Sequence, residues 1–399
     1  MRQPWPTGLL LLLAACSDRT KSVDDTPVNV PARTYPDGGI EAGTSAEGGA
    51  VPVPVQDCPT GSTLVKKIAC PGTATTAPAS VASGLGGAPG SIVGLDGFAE
   101  PSAPCLPAAV CAPDHAPTLL FSDSPESPRS DGVLYADTLQ PGNYRIYVYH
   151  ANGDTAVRKF PITVLNASAA AASVKITRSG QAAPSTDYVA EGKAVLVDWL
   201  TPKPITTVVV GSGQRILLDP DLDARHASQN QLVHAIYDVT TTATLKFSIV
   251  SVLATADADA TTGGLGLLPR DGDHQRGTFT KADVILAGTA PVGVSRLRLG
   301  ADEVDPILVG KDATTGDVQR LTGNYGLLYR VQIAGGLAGI TPRGGAWGGA
   351  MTFASGTPVS LPSAQNTIAE GAVVLGAVTD VRLMTGGGSS LPVDLFVVR

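Results

Sequence analysis

"GNYRIYVYHANGDTAVRKFPITVLN", residues 142–166, decides the fold class. Runs of β-branched and aromatic residues flank Asn152-Gly153, and such runs suit the pleated, half-buried surface of a strand. Asn-Gly is the strongest short-range signal for a two-residue hairpin turn. Pairing about it places Val148 opposite Val157 and Tyr147 opposite Arg158. The same texture continues downstream in "SVKITRSG", "KAVLVDWL", "ITTVVVG", "QRILLD" and "ATLKFSIVSVL". Each run is short and bounded by Gly, Pro, Asp or Ser, as in an all-β sandwich. "ASAAAAS" (167–173) has helical propensity, but a segment this short between two strands reads as a loop and strand entry.

Composition agrees. The 399 residues include 46 Gly and 31 Pro, with 16% charged and 5% aromatic residues, a balance that favours short strands joined by many turns. The formal net charge of -7 and the absence of a Lys/Arg cluster argue against nucleic acid as a partner, which needs a basic footprint.

The expected organisation is a signal segment at 1–15, a disordered tether at 16–57, a small disulfide-linked segment at 58–112 and β-sandwich domains at 113–253 and 277–399. Residues 17–57 are rich in Pro, Gly and Ser without apolar periodicity, hence a flexible tether. Residues 254–276, "ATADADATTGGLGLLPRDGDHQR", lack alternation and read as a linker. The second sandwich is drawn from "ADVILAG", "VSRLRLG", "DPILVGKD", "YGLLYRVQI", "GAMTFA", "AVVLGAV", "DVRLM" and "PVDLFVV". The expectation is thus all-β, with two β-sandwich-like, jelly-roll-like domains.

The apolar run Gly8 to Ala15 is eight residues long, whereas a helix crossing a bilayer takes about 20. It is laid out as a secretory signal. Leu13-Ala14-Ala15-Cys16 resembles the lipobox of bacterial lipoproteins, which implies that the Cys16 thiol is acylated and that the body is tethered to a lipid bilayer. Ser17 after the cysteine leans towards the outer membrane. Four further cysteines, Cys58, Cys70, Cys105 and Cys111, read as two disulfides in an exported chain. Three connectivities are open, and the spacings do not match a zinc site.

"FSDSPESPRSDGVLYAD", "SGQAAPSTDYVAEGKAVLVDWL", "NYGLLYRVQI", "TPRGGAWGGAM" and "LPVDLFVV" together resemble a family of exported bacterial surface proteins of unknown function. Its members occur alone or beside the small domain named after copper amine oxidase amino termini. The resemblance spans about residues 118–399 and implies a β-rich extracellular body with no established active site.

Chemistry is sparse. "LTGNYGL" holds Asn324 and Tyr325 but departs from the T-x-x-N-Y-D/E frame of copper amine oxidases, and the five histidines include no H-x-H. No hydrolase motif or phosphate loop is present. His150, beside the expected turn, is the histidine best placed to bind or accept a proton, against the plainer reading of a strand-end residue bonded to backbone. It would be the centre of the alternative reading, an extracytoplasmic enzyme. Asp219, Asp221 and Asp223 echo the start of a calcium loop, but Ala224 stands where glycine is needed. Trp199 reads as core. Trp347, among glycines and near Arg343, is the first place to look for binding. The expected function is a non-catalytic surface scaffold or binding module without cofactor, its partner an envelope polymer or surface protein.

Overall fold

The computed structural model describes residues 57–69, 75–95, 103–301, 307–353, 356–362 and 371–399. Strands dominate and are arranged in four sheets. The largest, of eight strands, runs in the order Thr206–Val210, Ala172–Gln181, Leu232–Thr241, Gly142–Ala151, Thr118–Ser122, Arg276–Phe279, Val309–Lys311 and Val318–Arg320. It packs on a smaller sheet of Arg215–Leu217, Ile162–Leu165, Leu245–Leu253 and Gly132–Leu139. Ile146, Val148, Val174, Phe247 and Ile249 fill the space between them.

The second sandwich sets the sheet built on Asp283–Thr289, Leu328–Ala334 and Val381–Thr385 against one built on Val294–Leu299, Val393–Val398 and Leu337–Pro342. Leu286, Leu297, Val331, Ile340 and Leu395 lie between the two. In "VSRLRLG" the alternation holds from Ser295 on: Ser295, Leu297 and Leu299 are buried on one face, while Arg296 and Arg298 on the other are half-buried around the fully buried Asp394. Val294, on the arginine side, is buried in a separate cluster with Phe396.

The domain boundaries differ from those expected. Arg276–Phe279 pairs with Thr118–Ser122, so the first sandwich's large sheet takes in a strand from the far end of the expected linker at 254–276. That segment carries a short helix, Ala258–Thr262, capped by the Asp257 side chain. Nor is 58–112 a separate segment. Ser62–Ile68 pairs with Ala108–Pro113, which pairs with Asp283–Thr289, and Cys58 is joined to Cys111. Cys105 is also disulfide-bonded, while Cys16 and Cys70 lie outside the described residues. A third core of Leu119, Phe121, Trp199, Ile236, Leu328, Ala350 and Met384 joins the sandwiches, and Ala50–Arg399 forms one compact unit. Among the described residues no helix is long and apolar enough to cross a membrane.

Two local readings are also corrected. Asn152-Gly153 is not a hairpin turn. Gly142–Ala151 pairs with Leu232–Thr241 and Thr118–Ser122, whereas Arg158–Lys159 and Ile162–Leu165 cross over to pair with Leu245–Leu253. The Asn152 amide fixes this crossover by donating to Ala156 and Ala227 carbonyls, each at 2.8 Å.

"KAVLVDWL" is not a strand but the end of a helix, Tyr188–Leu200. Asp187 caps it by accepting from the Ala190 N–H at 3.0 Å, satisfying one of the amides a helix start leaves open. Its buried residues Gly192, Val195, Leu196 and Trp199 recur at helical spacing, so one apolar face meets the third core. Trp199 is core, as expected. Residues 167–171 form a loop before the strand Ala172–Gln181.

A tyrosine-walled cavity between the sandwiches

From Arg145 to Ala151 the strand Gly142–Ala151 is buried on both faces, and strand alternation sorts its side chains. Ile146 and Val148 enter the first sandwich core, while Tyr147 and Tyr149 point towards the third. On the neighbouring strand Leu119 and Phe121 share that direction, and Asp123 follows in the same alternation. Phe121, Asp123, Tyr147 and Tyr149 form one wall of a cavity of about 300 Å³, completed by Glu126, Tyr188, His274, Tyr325 and the turn Gly387-Gly388-Ser389.

Ring geometry is close. Phe121 stacks on Tyr147 with centroids 4.9 Å apart, and Tyr149 meets Tyr188 edge-on at 6.3 Å. The Tyr325 hydroxyl donates to the Ser389 carbonyl at 2.6 Å, and that of Tyr188 to the Asn230 carbonyl at 3.1 Å. Tyr147 and Tyr149 hydroxyls make no hydrogen bond with the described residues. Burial raises the pKa of all four phenols, that of Tyr325 to about 12, so they stay protonated.

At one end the loops 123–126 and 271–274 are tied together. The Glu126 N–H donates to Asp271 Oδ2 at 2.8 Å, and the His274 N–H to Asp271 Oδ1 at 2.8 Å. The His274 ring lies between two carboxylates, Nδ1 3.0 Å from Asp271 Oδ2 and Nε2 against Glu126 Oε2. Both nitrogens face acceptors, which requires the doubly protonated imidazolium. The bond to Glu126 is the chief cause of a pKa raised to about 10. Asp123 is different: burial pushes its carboxyl well above the usual range, against the pull of His274. One of its oxygens, Oδ1, is enclosed without a donor.

The glycine turn sits tightly against the helix. A Cβ at Gly192 would lie 2.1 Å from the Gly387 carbonyl oxygen, and one at Gly387 would lie 2.6 Å from the Tyr149 ring. Helix propensity alone would make Gly192→Ala stabilising by up to about 1 kcal/mol. The opposite sign is expected here, a loss of about 1–3 kcal/mol as backbone is forced aside. Thermal melts of the two proteins decide it, and a higher melting temperature for the variant would contradict this packing.

The residues singled out from the sequence lie elsewhere or inside. Trp347 is fully buried, its Nε1 3.5 Å from Thr385 Oγ1, so it presents no ring for binding. Its neighbour Arg343 donates to Asp394 at 3.0 Å. His150 is also fully buried, with Nε2 2.8 Å from Ser122 Oγ and Nδ1 2.9 Å from the Pro125 carbonyl. Burial lowers its pKa to about 4, and it is the backbone-bonded strand residue of the plainer reading. Asp219, Asp221 and Asp223 do not converge. Asp219 caps the helix Pro220–Asp223 and accepts from Tyr237 and Gln181, while Asp223 pairs with Lys159 at 2.8 Å. Among the described residues no three His, Cys, Asp or Glu side chains gather as a metal site.

Sequence reasoning missed the cavity residues because it sought stacking rings among tryptophans. The usable signal was Y-x-Y at Tyr147 and Tyr149, two aromatic rings on one face of a strand.

No family model and no curated protein matches this chain. Among solved structures it is similar to a Bacillus subtilis oxalate decarboxylase, at 10% identity and TM-score 0.13, over 70% of this chain and 76% of that one. It is similar to the STIV MCP at 9% identity and TM-score 0.12, over 66% and 95%. Similarity to the Lactobacillus farciminis oxalate decarboxylase, at 9% identity and TM-score 0.11, spans 70% and 85%. These likenesses are too slight to bear on function.

Proposed function

We propose that this chain is a cell-envelope lipoprotein, held in the outer membrane through acylated Cys16, whose folded body is a non-catalytic binding module for an envelope component. The observation that carries the binding role is the cavity of about 300 Å³, where five aromatic rings meet Asp123, Glu126 and His274. Ligand sites are concave, mostly apolar and furnished with a few convergent polar groups. His274 supports binding over proton transfer, because an imidazolium held between two carboxylates has no lone pair to act as a base at neutral pH. The other pairing with the elements of nucleophile and base, Ser122 with His150, is sealed from solvent, and a nucleophile must reach its substrate.

Two experiments test this. In detergent phase separation the wild-type protein is expected in the detergent phase and Cys16→Ser in the aqueous phase; a variant that still follows the detergent would refute the anchor. For the body, full-length protein is equilibrated with a low-molecular-mass envelope extract, and bound molecules are identified by mass spectrometry. A molecule retained unaltered by wild type and lost with Tyr188→Ala is expected. Its conversion to a product would overturn the non-catalytic reading.

A further inference from the structure

Resting on the reading of the cavity as a binding site, we propose that it takes a small primary ammonium, whose N–H groups meet Asp123 and Glu126 while its carbon skeleton lies against Tyr147, Tyr149 and Tyr188. The charges of the wall argue for a cation. Asp123 and Glu126 line the cavity and Asp271 stands behind His274, while no Lys or Arg is among the lining residues. The single positive group, His274, is matched by its two carboxylate partners. With Asp123 protonated, as burial holds it while unpaired, Glu126 and Asp271 against His274 leave the end of the cavity at a net -1, and at -2 once Asp123 ionises beside a cation.

The hydrogen bonds argue for an N–H donor in particular. His274 directs its two ring N–H groups at Glu126 and Asp271, leaving none for Asp123, whose Oδ1 is enclosed without a donor and whose carboxyl meets the cavity by its other edge. A buried carboxylate without a donor is costly. A quaternary ammonium supplies charge but no N–H, and a carboxylate or phosphate ligand would be repelled. The tyrosine faces add attraction, since the negative face of an aromatic ring draws a cation within about 6 Å of its centroid. Burial holds Asp123 protonated when nothing pairs with it, and an ammonium alongside is the partner that would let it ionise. The volume, at the lower end for ligand pockets, suits a group the size of a single ring or a short chain.

Calorimetry on the full-length protein at pH 7 tests the inference with matched probes: benzylammonium, the neutral isostere benzyl alcohol, benzoate and tetramethylammonium. Benzylammonium is expected to bind at least about tenfold more tightly than each of the others, as charge-assisted hydrogen bonds allow. Asp123→Asn, which keeps the shape and removes the charge, should abolish that preference while leaving the melting temperature close to wild type. Tyr188→Ala, on a half-exposed ring, should weaken benzylammonium whether or not Asp123→Asn folds. N-acetyl-lysine amide, run in parallel, separates a lysine-borne ammonium from a free amine, and tight binding of either supports the proposal. Equal or tighter binding of benzyl alcohol or benzoate, a preference that survives Asp123→Asn, or no binding of any ammonium would overturn it. A neutral molecule recovered unaltered from the envelope extract would refute the ammonium while leaving the binding module standing.

Discussion

Arg145→Met is expected to cost the fold about 3–5 kcal/mol, the loss that follows when one member of a buried ion pair is removed and its partners stay behind. The Arg145 guanidinium is fully buried. It reaches Asp238 at 2.8 Å and Asp283 at 2.9 Å, donates to the carbonyls of Ala282 and Gly326 at 3.0 Å each, and lies 4.7 Å over the Trp199 ring. Burial alone would lower its pKa, but Asp238 and Asp283 more than offset that, so the charge is permanent. Asp238 belongs to the first sandwich and Asp283 to the second, and Gly326 follows Tyr325 of the cavity. One side chain thus ties both halves and the site together. Urea unfolding monitored by tryptophan fluorescence should show the loss, and the triple variant Arg145→Met, Asp238→Asn, Asp283→Leu should recover part of it. A single Arg145→Met within about 1 kcal/mol of wild type would mean that solvent reaches the two carboxylates.

The second large effect is on acid stability. His234 is buried against Tyr147, Tyr149 and the Gly387 backbone, its ring 4.6 Å from that of Tyr147, and neither ring nitrogen has a hydrogen-bond partner. Burial lowers its pKa to about 3. The folded value is below the unfolded one, so the unfolded chain takes up a proton first. Stability is therefore complete above pH 6.5 and lost as the pH falls towards 3, at ~1.4 kcal/mol per pH unit. His150, at about 4, acts in the same direction. Glu191, whose carboxylate accepts the His234 backbone N–H, opposes them: burial raises its pKa to about 8, so protonation favours the fold as the pH falls from 8 to 4.5.

Comparing variant with wild type isolates one residue. His234→Leu is expected to gain about 2–3 kcal/mol on wild type between pH 7.5 and pH 4.5, and to be neutral or stabilising at pH 7.5, since no hydrogen bond is lost. Urea midpoints at the two pH values measure it. Parallel pH dependence of the two proteins would show that His234 is not held neutral.

Several features were legible from local chemistry. The β-branched and aromatic runs between Gly, Pro and Asp gave strands, and "VSRLRLG" showed its buried face. Trp199 was recognisable as core, though inside a helix. That helix was misread because "AVLVDWL" satisfies a short strand pattern as well as a helical one. The Asp187 cap and Gly192, which lets the helix approach the 386–389 turn, decide between them only once the partner surface exists. Asn152-Gly153 failed for a related reason. Its hairpin signal is local, whereas the Asn152 amide is spent on the Ala227 carbonyl, 75 residues away in sequence.

By itself the sequence determined the all-β class, the half-buried strand faces and an even set of cysteines in the body, because period, propensity and counting act through near neighbours. Tertiary structure alone decided the rest. It placed Arg276–Phe279 in the first sandwich and paired Cys58 with Cys111. It buried Trp347 and His150, and it brought Asp123, Glu126, Tyr188, His274, Tyr325 and Ser389 to one cavity. The physical reason is that a site between two sandwiches is built from residues up to 268 positions apart, Phe121 to Ser389. Each has an ordinary local context, and the burial and charge that distinguish it arise only from the packing of one sheet against another.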